Sequence, residues 1–257
     1  MADTVRFTTV GAVGVITLDR PPVNAISSEL VADLDSAIEL AEDPAVRAVV
    51  VTGEPHFAAG ADIKAFKAAL DAGDDPSVVA ADLTRVLNRL EGMAKPVIAA
   101  VRGFAMGGGM ELALACDFRF LADDARCGQP EISLGIFPGA GGTQRLPRLI
   151  GLGPARHLIY TGRAVGAEAA LELGMADEIH PPEHVLEAAM TAAALYAAGP
   201  TRALGLAKQA INDGVGRPLD EGLAIEAARF HHVFDTGDAA EGVAAFVEKR
   251  DPDFTGS

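Results

Sequence analysis

Two glutamates stand beside segments of small residues that would let a substrate come close. Glu111 follows Gly107-Gly108-Gly109-Met110, and the apolar residues after it continue for two helical turns. A helix starting at Gly107 leaves its first backbone N–H groups unpaired, with the positive end of the dipole behind them. A carboxylate one turn in then lies next to donors suited to a developing negative charge. Glu131 follows Gln129-Pro130 and precedes Ile132. A charge placed between apolar segments is costly to bury unless paired, and burial raises a carboxyl pKa toward the value that a proton donor near neutral pH needs. Two carboxylates in different environments, facing one substrate, can divide acid and base work. A third segment, Ala58-Ala59-Gly60-Ala61-Asp62, leads into a helix, and its N–H groups would supply a second donor opposite Gly108, giving two donors for one oxygen. Lys64, just inside that helix, and Arg20, at the end of the second strand, are the cations within reach of a phosphate.

Each feature has a plainer reading. A glutamate in a first helical turn suits the dipole whatever the chemistry, Glu131 alone reads as a solvated loop carboxylate, and Lys64 as a surface lysine. Glycine in a helix interior costs roughly 1 kcal/mol relative to alanine, so three in a row answer either to close packing or to close approach of a ligand. Other chemistries fail on spacing. The sequence has no Gly-x-Ser-x-Gly elbow, no P-loop and no Gly-x-Gly-x-x-Gly after a strand. His180 and His184 are separated by Pro181 and Pro182 with no carboxylate motif beside them, and His231 and His232 fall on a tail helix as surface or interface residues, so no metal site is expected.

The elements that must position these residues follow from patterning. Val5–Thr9 and Val13–Leu18 are β-rich runs that predict a hairpin. Ser27 or Ser28 caps a helix to about Glu42, with Leu30, Leu34, Ile38 and Ala41 on one face. Ala48–Thr52 is a third strand, residues 54–64 a small-residue loop, and Asp71–Pro76 a polar, mobile break. Helical periodicity runs from Ser77 to about Met93, and Lys95–Val101 is a buried strand. Phe118–Leu121 is a strand, Cys127–Ile132 a tight connection, and residues 138–146 a second glycine cluster. Residues 153–161 and 167–173 are helices, followed by a short strand over 176–179. Beyond Pro182 only helix is predicted, over 183–198, 201–213, 219–235 and 238–249. The chain thus divides into a β/α core, residues 1–180, and an all-helical region, residues 181–257.

Composition sets the outer limits. The chain has 257 residues, 49% apolar and 22% charged, as an ordinary globular protein does. No apolar run reaches the ~18 residues of a membrane span. The start lacks the pattern of a signal or transit peptide, so a cytoplasmic protein is expected. Cys116 and Cys127 both lie in apolar surroundings and read as buried free thiols. A net charge of −15 argues against nucleic-acid binding, and any anionic substrate must be held by local positive groups.

Five blocks, in this order, resemble the enoyl-CoA hydratase/isomerase family (the crotonase superfamily): Phe57-Ala-Ala-Gly-Ala-Asp-Ile-Lys64, Lys95-Pro-Val-Ile-Ala-Ala-Val101, Gly107-Gly-Gly-Met-Glu111, Gln129-Pro-Glu131 and Pro138-Gly-Ala-Gly-Gly-Thr-Gln-Arg-Leu146. The ending Ala245-Phe-Val-Glu-Lys-Arg250 is similar too, so the resemblance runs from about Leu18 to Phe254. It implies an α/β fold, a spiral of strand–strand–helix turns with a C-terminal helical region that assembles trimers, commonly two trimers together. It implies an acyl-CoA thioester as substrate and no dissociable cofactor, because CoA arrives with the substrate. It places the thioester oxygen on the N–H groups of Ala61 and Gly108, the two hydratase glutamates at Glu111 and Glu131, and a glycine that helps place the water at Gly139. Ala59, Gly60, Asp62, Ile63, Lys64 and Gly107 are expected along the substrate and CoA path, and the glycine run is expected to make room for the thioester. Asp19 stands where the family often has Asn, and Cys127 where a larger residue is common. The segment from Phe66 to Val79 matches a variable loop of the family that shapes the acyl pocket.

The resemblance implies hydration of a 2-enoyl-CoA, with Glu111 anionic at the helix start as base toward water and Glu131 as proton donor to the α-carbon. A Δ3,Δ2-enoyl-CoA isomerase is the nearest rival and needs one carboxylate and no water. An RNA-binding relative and a catalytically idle scaffold are the other readings; the negative charge speaks against the first and the complete glutamate pair against the second.

Overall fold

A computed structural model describes residues 4–257. The chain opens with an antiparallel hairpin, β1 (Val5–Val10) and β2 (Val13–Leu18). Ser27 caps α1 (Ser28–Ala41) by accepting the Leu30 N–H, and the expected face Leu30, Leu34, Ile38 and Ala41 is buried. β3 (Ala48–Gly53) follows. The chain then forms α2 (Ile63–Ala72) and α3 (Ser77–Glu91), where the variable loop was expected over Phe66–Val79. α2 is the helix that the Ala58–Asp62 segment was expected to lead into; it extends into the stretch matched to the variable loop, so that only residues 73–76, within the expected polar break, stay outside helix. α2 buries none of its residues, so no buried face marks its extent. Its ends define it instead, with Asp62 accepting the Ala65 N–H at the start and Gly73 left-handed at the finish.

β4 (Val97–Val101), β5 (Phe104–Met106) and α4 (Gly108–Leu114) come in close succession, then β6 (Phe118–Ala122) and β7 (Arg126–Gly128). The tight connection expected over Cys127–Ile132 is β7 running into a 3-10 turn, Glu131–Leu134. α5 (Gly142–Ile150), α6 (Leu152–Thr161), β8 (Ala164–Gly166), α7 (Ala167–Glu172) and β9 (Glu178–His180) complete the β-containing part. α8 (Val185–Ala198), α9 (Thr201–Gly214), α10 (Leu219–Val233) and α11 (Gly237–Glu248) lie within a few residues of their expected bounds.

Two sheets organise the strands. The larger has the order β1-β2-β3-β4-β6-β9, parallel from β2 onward. β3 and β4 are buried along their whole lengths, as central parallel strands covered on both faces must be. α1 covers β1 and β2 and packs on α3, while α8 lies across β2, β3, β4 and β6 and puts Val185, Ala189, Ala193 and Ala197 into the core. The smaller sheet is β5-β7-β8, and Ala58 joins it by a parallel bridge to Ala105. Successive turns therefore add one strand to each sheet: β3 with the Ala58 bridge, β4 with β5, and β6 with β7. This is the strand–strand–helix spiral.

Among the described residues no helix is long and apolar enough to cross a membrane. Cys116 and Cys127 are free and buried, and burial pushes both thiols up to about 12.

Candidate active site

The small sheet aligns the three segments that sequence reasoning singled out. Ala58 bridges Ala105, and Ala105 pairs with Cys127. Counting onward from this row, Ala61 and Gly108 each lie three residues along and Glu131 four. One register thus delivers three candidate groups to one end of the small sheet.

The backbone around Ala61 fixes its N–H. Ile26 donates to the Gly60 carbonyl at 2.8 Å and accepts the Asp62 N–H at 2.9 Å. Alternation along an extended strand then turns the Ala61 N–H away from Ile26. Gly107 donates to the Gly128 carbonyl at 2.9 Å, and Gly108 begins α4, where a helix has no internal partner for its N–H. Neither the Ala61 nor the Gly108 N–H donates to any group among the described residues. Two such donors at adjacent loops fit an oxygen that gains negative charge.

Glu111, 3% exposed, sits in α4 and is held from outside it: its Oε1 accepts the N–H groups of Ala140 (2.7 Å) and Gly142 (2.8 Å). Burial raises its pKa above the ordinary carboxylate value, against the lowering effect of the Gly142 and Ala140 hydrogen bonds and of the Arg145 charge. The helix start is the local feature expected to favour the anion; in the fold desolvation raises the pKa, and the anchoring donors that favour ionisation come from the second glycine cluster.

Glu131 opens the 3-10 turn and is partly buried. Its pKa is pushed up to about 7, by burial first and then by the Glu111 charge, with its own backbone N–H acting the other way. Gln129 is fully buried. With its amide turned so that nitrogen and oxygen each meet a suitable partner, it donates to Glu131 Oε1 at 3.0 Å and Oε2 at 3.2 Å.

The glycine run is closely packed. A Cβ on Gly109 would strike the Ala58 carbonyl, and one on Gly108 would lie 3.0 Å from Ile26 Cδ1 and 3.3 Å from Leu83 Cδ2. Gly107, at φ 52°, takes a left-handed backbone and would carry a Cβ 2.9 Å from Glu131 Oε1. These contacts give the run a packing role beside the room for a thioester that the family resemblance implies. The missing side chains let α4 approach the 58–61 loop and leave space for Glu131, and these contacts set where the Gly108 N–H ends up.

The remaining candidates fall around this centre. Gly60 packs on Met106 behind the donors, and Ala59 is partly exposed. Asp62 caps α2 and pairs with Arg20 at 2.6 Å, and Arg20 also donates to the Ala25 carbonyl at 2.9 Å. Ile63 and Lys64 are exposed on the first turn of α2. Gly139 is exposed, with its carbonyl accepting from the Thr84 hydroxyl at 3.3 Å. His180 and His184 pair with Glu178 and Glu187. No cluster of three or more potential metal-ligating His, Cys, Asp or Glu occurs among the described residues. Sequence reasoning missed Ala140, Gly142 and Gln129. The second glycine cluster was the visible signal for the first two, but nothing local says which carboxylate its N–H groups meet.

A profile of the enoyl-CoA hydratase/isomerase family matches residues 8–257. The chain belongs to the enoyl-CoA hydratase/isomerase family. It is 40% identical over 247 residues to a probable enoyl-CoA hydratase of Bacillus subtilis (strain 168), covering 95% of each chain. It is 41% identical over 244 residues, 93% of each chain, to a short-chain-enoyl-CoA hydratase of Clostridium acetobutylicum. Its structure is similar to that of an enoyl-CoA hydratase from Bacillus anthracis, with a TM-score of 0.91 and 38% identity over 99% of this chain and 100% of that one. Membership of the enoyl-CoA hydratase/isomerase family agrees with the site geometry, a buried and a partly buried carboxylate beside two unpaired backbone donors.

Proposed function

We propose that this chain hydrates 2-enoyl-CoA thioesters to 3-hydroxyacyl-CoA. The observation that carries the reading is the convergence of two free N–H groups, at Ala61 and Gly108, with two carboxylates, Glu111 buried and Glu131 partly buried, whose surroundings differ. The names of the similar proteins, enoyl-CoA hydratases, support the same substrate class. In this reading the thioester oxygen accepts both N–H groups. Water adds through oxygen to the β-carbon while Glu111 takes a proton from it, and the electrons of the double bond move onto the thioester oxygen. The enolate-like state then returns its electrons to the α-carbon, which takes a proton from Glu131. Proton exchange between the carboxylates resets the site. Losing one donor of such a pair typically costs ~2.7–4 kcal/mol of barrier.

Several further readings belong with this one. No dissociable cofactor is required, since CoA enters with the substrate. Lys64, exposed beside the 58–62 loop, and the exposed Gly139 suit contacts with CoA and water respectively. The C-terminal helices serve assembly as a trimer or a dimer of trimers, a reading supported by large apolar side chains left open in the single chain: Leu219, Phe234 and Phe246 are 78%, 65% and 85% exposed. A cytoplasmic setting suits the two free thiols, and the charge of −15 disfavours nucleic acid.

Loss of the conjugated-enoyl absorbance of crotonyl-CoA, followed across an acyl chain-length series, tests the reading. Hydration sinks the signal and gives 3-hydroxyacyl-CoA. An unchanged signal with every enoyl-CoA, together with turnover of a 3-enoyl-CoA, would assign the site to the isomerase instead.

A further inference from the structure

Arg145 takes no part in the chemistry above, yet it touches the loop that anchors Glu111. Its side chain is 11% exposed. Nε and Nη2 donate to Glu91 Oε2 at 3.1 and 2.7 Å, Nη2 donates to Asn88 Oδ1 at 2.7 Å, and Nη1 donates to the Ala140 carbonyl at 3.1 Å. The Ala140 carbonyl belongs to the peptide unit between the two N–H groups, of Ala140 and Gly142, that bind Glu111 Oε1. One short loop is therefore held on its N–H side by Glu111 and on its carbonyl side by Arg145. Thr84 extends the brace by donating to the Gly139 carbonyl. Thr84, Asn88 and Glu91 recur at the spacing of one helical face, so α3 backs the loop through Arg145 and directly.

We propose that Arg145 is a positioning residue for Glu111: it fixes the Ala140–Gly142 loop so that both N–H groups meet one carboxylate oxygen, leaving the other to face water. Glu111 Oε2 accepts from no group among the described residues. A guanidinium suits this task because its planar fork reaches Glu91, Asn88 and Ala140 together, which an ammonium on a flexible stem does not. The charged groups facing Glu111 are Glu131 from the 3-10 turn and Arg145 from α5, and Glu91 of α3 faces Arg145 in turn. Arg145 also opposes the effect of burial, favouring the ionised form that a base requires.

The inference rests on Glu111 acting as the base, so Glu111→Gln is measured beside Arg145→Gln and Arg145→Lys, with kcat and KM for crotonyl-CoA hydration followed across pH. Arg145→Gln is expected to lower kcat about 10- to 100-fold, the scale of a small misplacement of a reacting group, with KM close to wild type. The acidic limb of the kcat profile should move to higher pH, because a cation that lowers the Glu111 pKa is gone. Arg145→Lys keeps the charge and should return the limb toward wild type while restoring kcat only in part. A folded Arg145→Gln with wild-type kcat and acidic limb overturns the proposal, as does a raised KM at unchanged kcat, which would place Arg145 in substrate binding. Should Arg145→Gln not fold, Arg145→Lys and Asn88→Ala decide: reduced kcat in either at unchanged KM supports it, and wild-type kcat in both overturns it. If Glu111→Gln keeps full activity, the underlying reading of Glu111 fails. If Glu111→Gln is inactive while both Arg145 variants match wild type, this inference alone fails.

Discussion

The Ala140 N–H donates to Glu111 Oε1 at 2.7 Å, joining a loop to a helix that precedes it by 29 positions. With the Gly142 N–H at 2.8 Å on the same oxygen, one side of the carboxylate is fixed by two hydrogen bonds to a charged acceptor, the stronger class of such bonds. Burial works against ionisation while these donors work for it. The result is a carboxylate of defined orientation with a raised pKa, which is what a base acting near neutral pH needs.

Glu111→Gln keeps the shape and removes the base. It is expected to lower kcat by about 10²- to 10⁴-fold, the usual contribution of a positioned acid or base. Because the two carboxylates act on one water and one substrate, adding Glu131→Gln should cost much less than the product of the single effects. Steady-state kinetics of crotonyl-CoA hydration on the three variants checks this. Multiplying effects would sink the shared-site reading.

The pH dependence follows from the directions of the two pKa shifts. Glu131, with its pKa pushed up to about 7, is protonated below that value and loses its proton above it, so its role as donor declines as pH rises through about 7. Glu111 must be ionised to act as base, and its raised pKa brings the acidic limb above the ordinary carboxylate range. The profile of kcat/KM should be bell-shaped, with apparent values that belong to the pair. A rate that stays level from pH 4 to pH 9 would contradict these roles.

Gly109→Ala tests the packing reading of the glycine run. The new methyl meets the Ala58 carbonyl, a backbone atom tied to β5 through the Met106 N–H. Overpacking of this kind typically costs ~1–3 kcal/mol, so thermal unfolding should shift down by several degrees, and kcat should fall as the 58–61 loop moves. A variant that melts at the wild-type temperature with full activity would show that α4 has slack at this contact.

Phe246 is 85% exposed on α11. Phe246→Asp places a charge on the surface proposed for assembly, which should shift the sedimentation mass from a multiple of the 26.4 kDa chain toward that of one chain. If wild type already sediments as a single chain, the assembly reading is lost. A Phe246→Asp variant that keeps the wild-type mass would remove this face from it.

Much of this molecule is written locally. The hairpin, the Ser27-capped α1 and the four C-terminal helices follow from period and caps, and Glu111, Glu131 and the 58–62 loop stand out by residue type and neighbours. Other parts leave no such mark. The start of α2 after Asp62 was legible, but the helix buries nothing, so no inward face marks how far it runs. β5, β7 and β8 have three residues each, too few to show a period, and exist as strands only because they pair.

The sequence by itself determined the chemical inventory: two carboxylates, two small-residue loops and the family they signal. Tertiary structure alone decided the arrangement. The row Ala58, Ala105, Cys127 brings Ala61, Gly108 and Glu131 to one end of the small sheet, and α3, through Arg145, backs the loop that holds Glu111. The glycines that suggested room for a substrate are also sites where protein backbone and side chains come close. Register between strands and the packing of successive turns are set by contacts among residues tens of positions apart, and no local propensity encodes which partner each will meet.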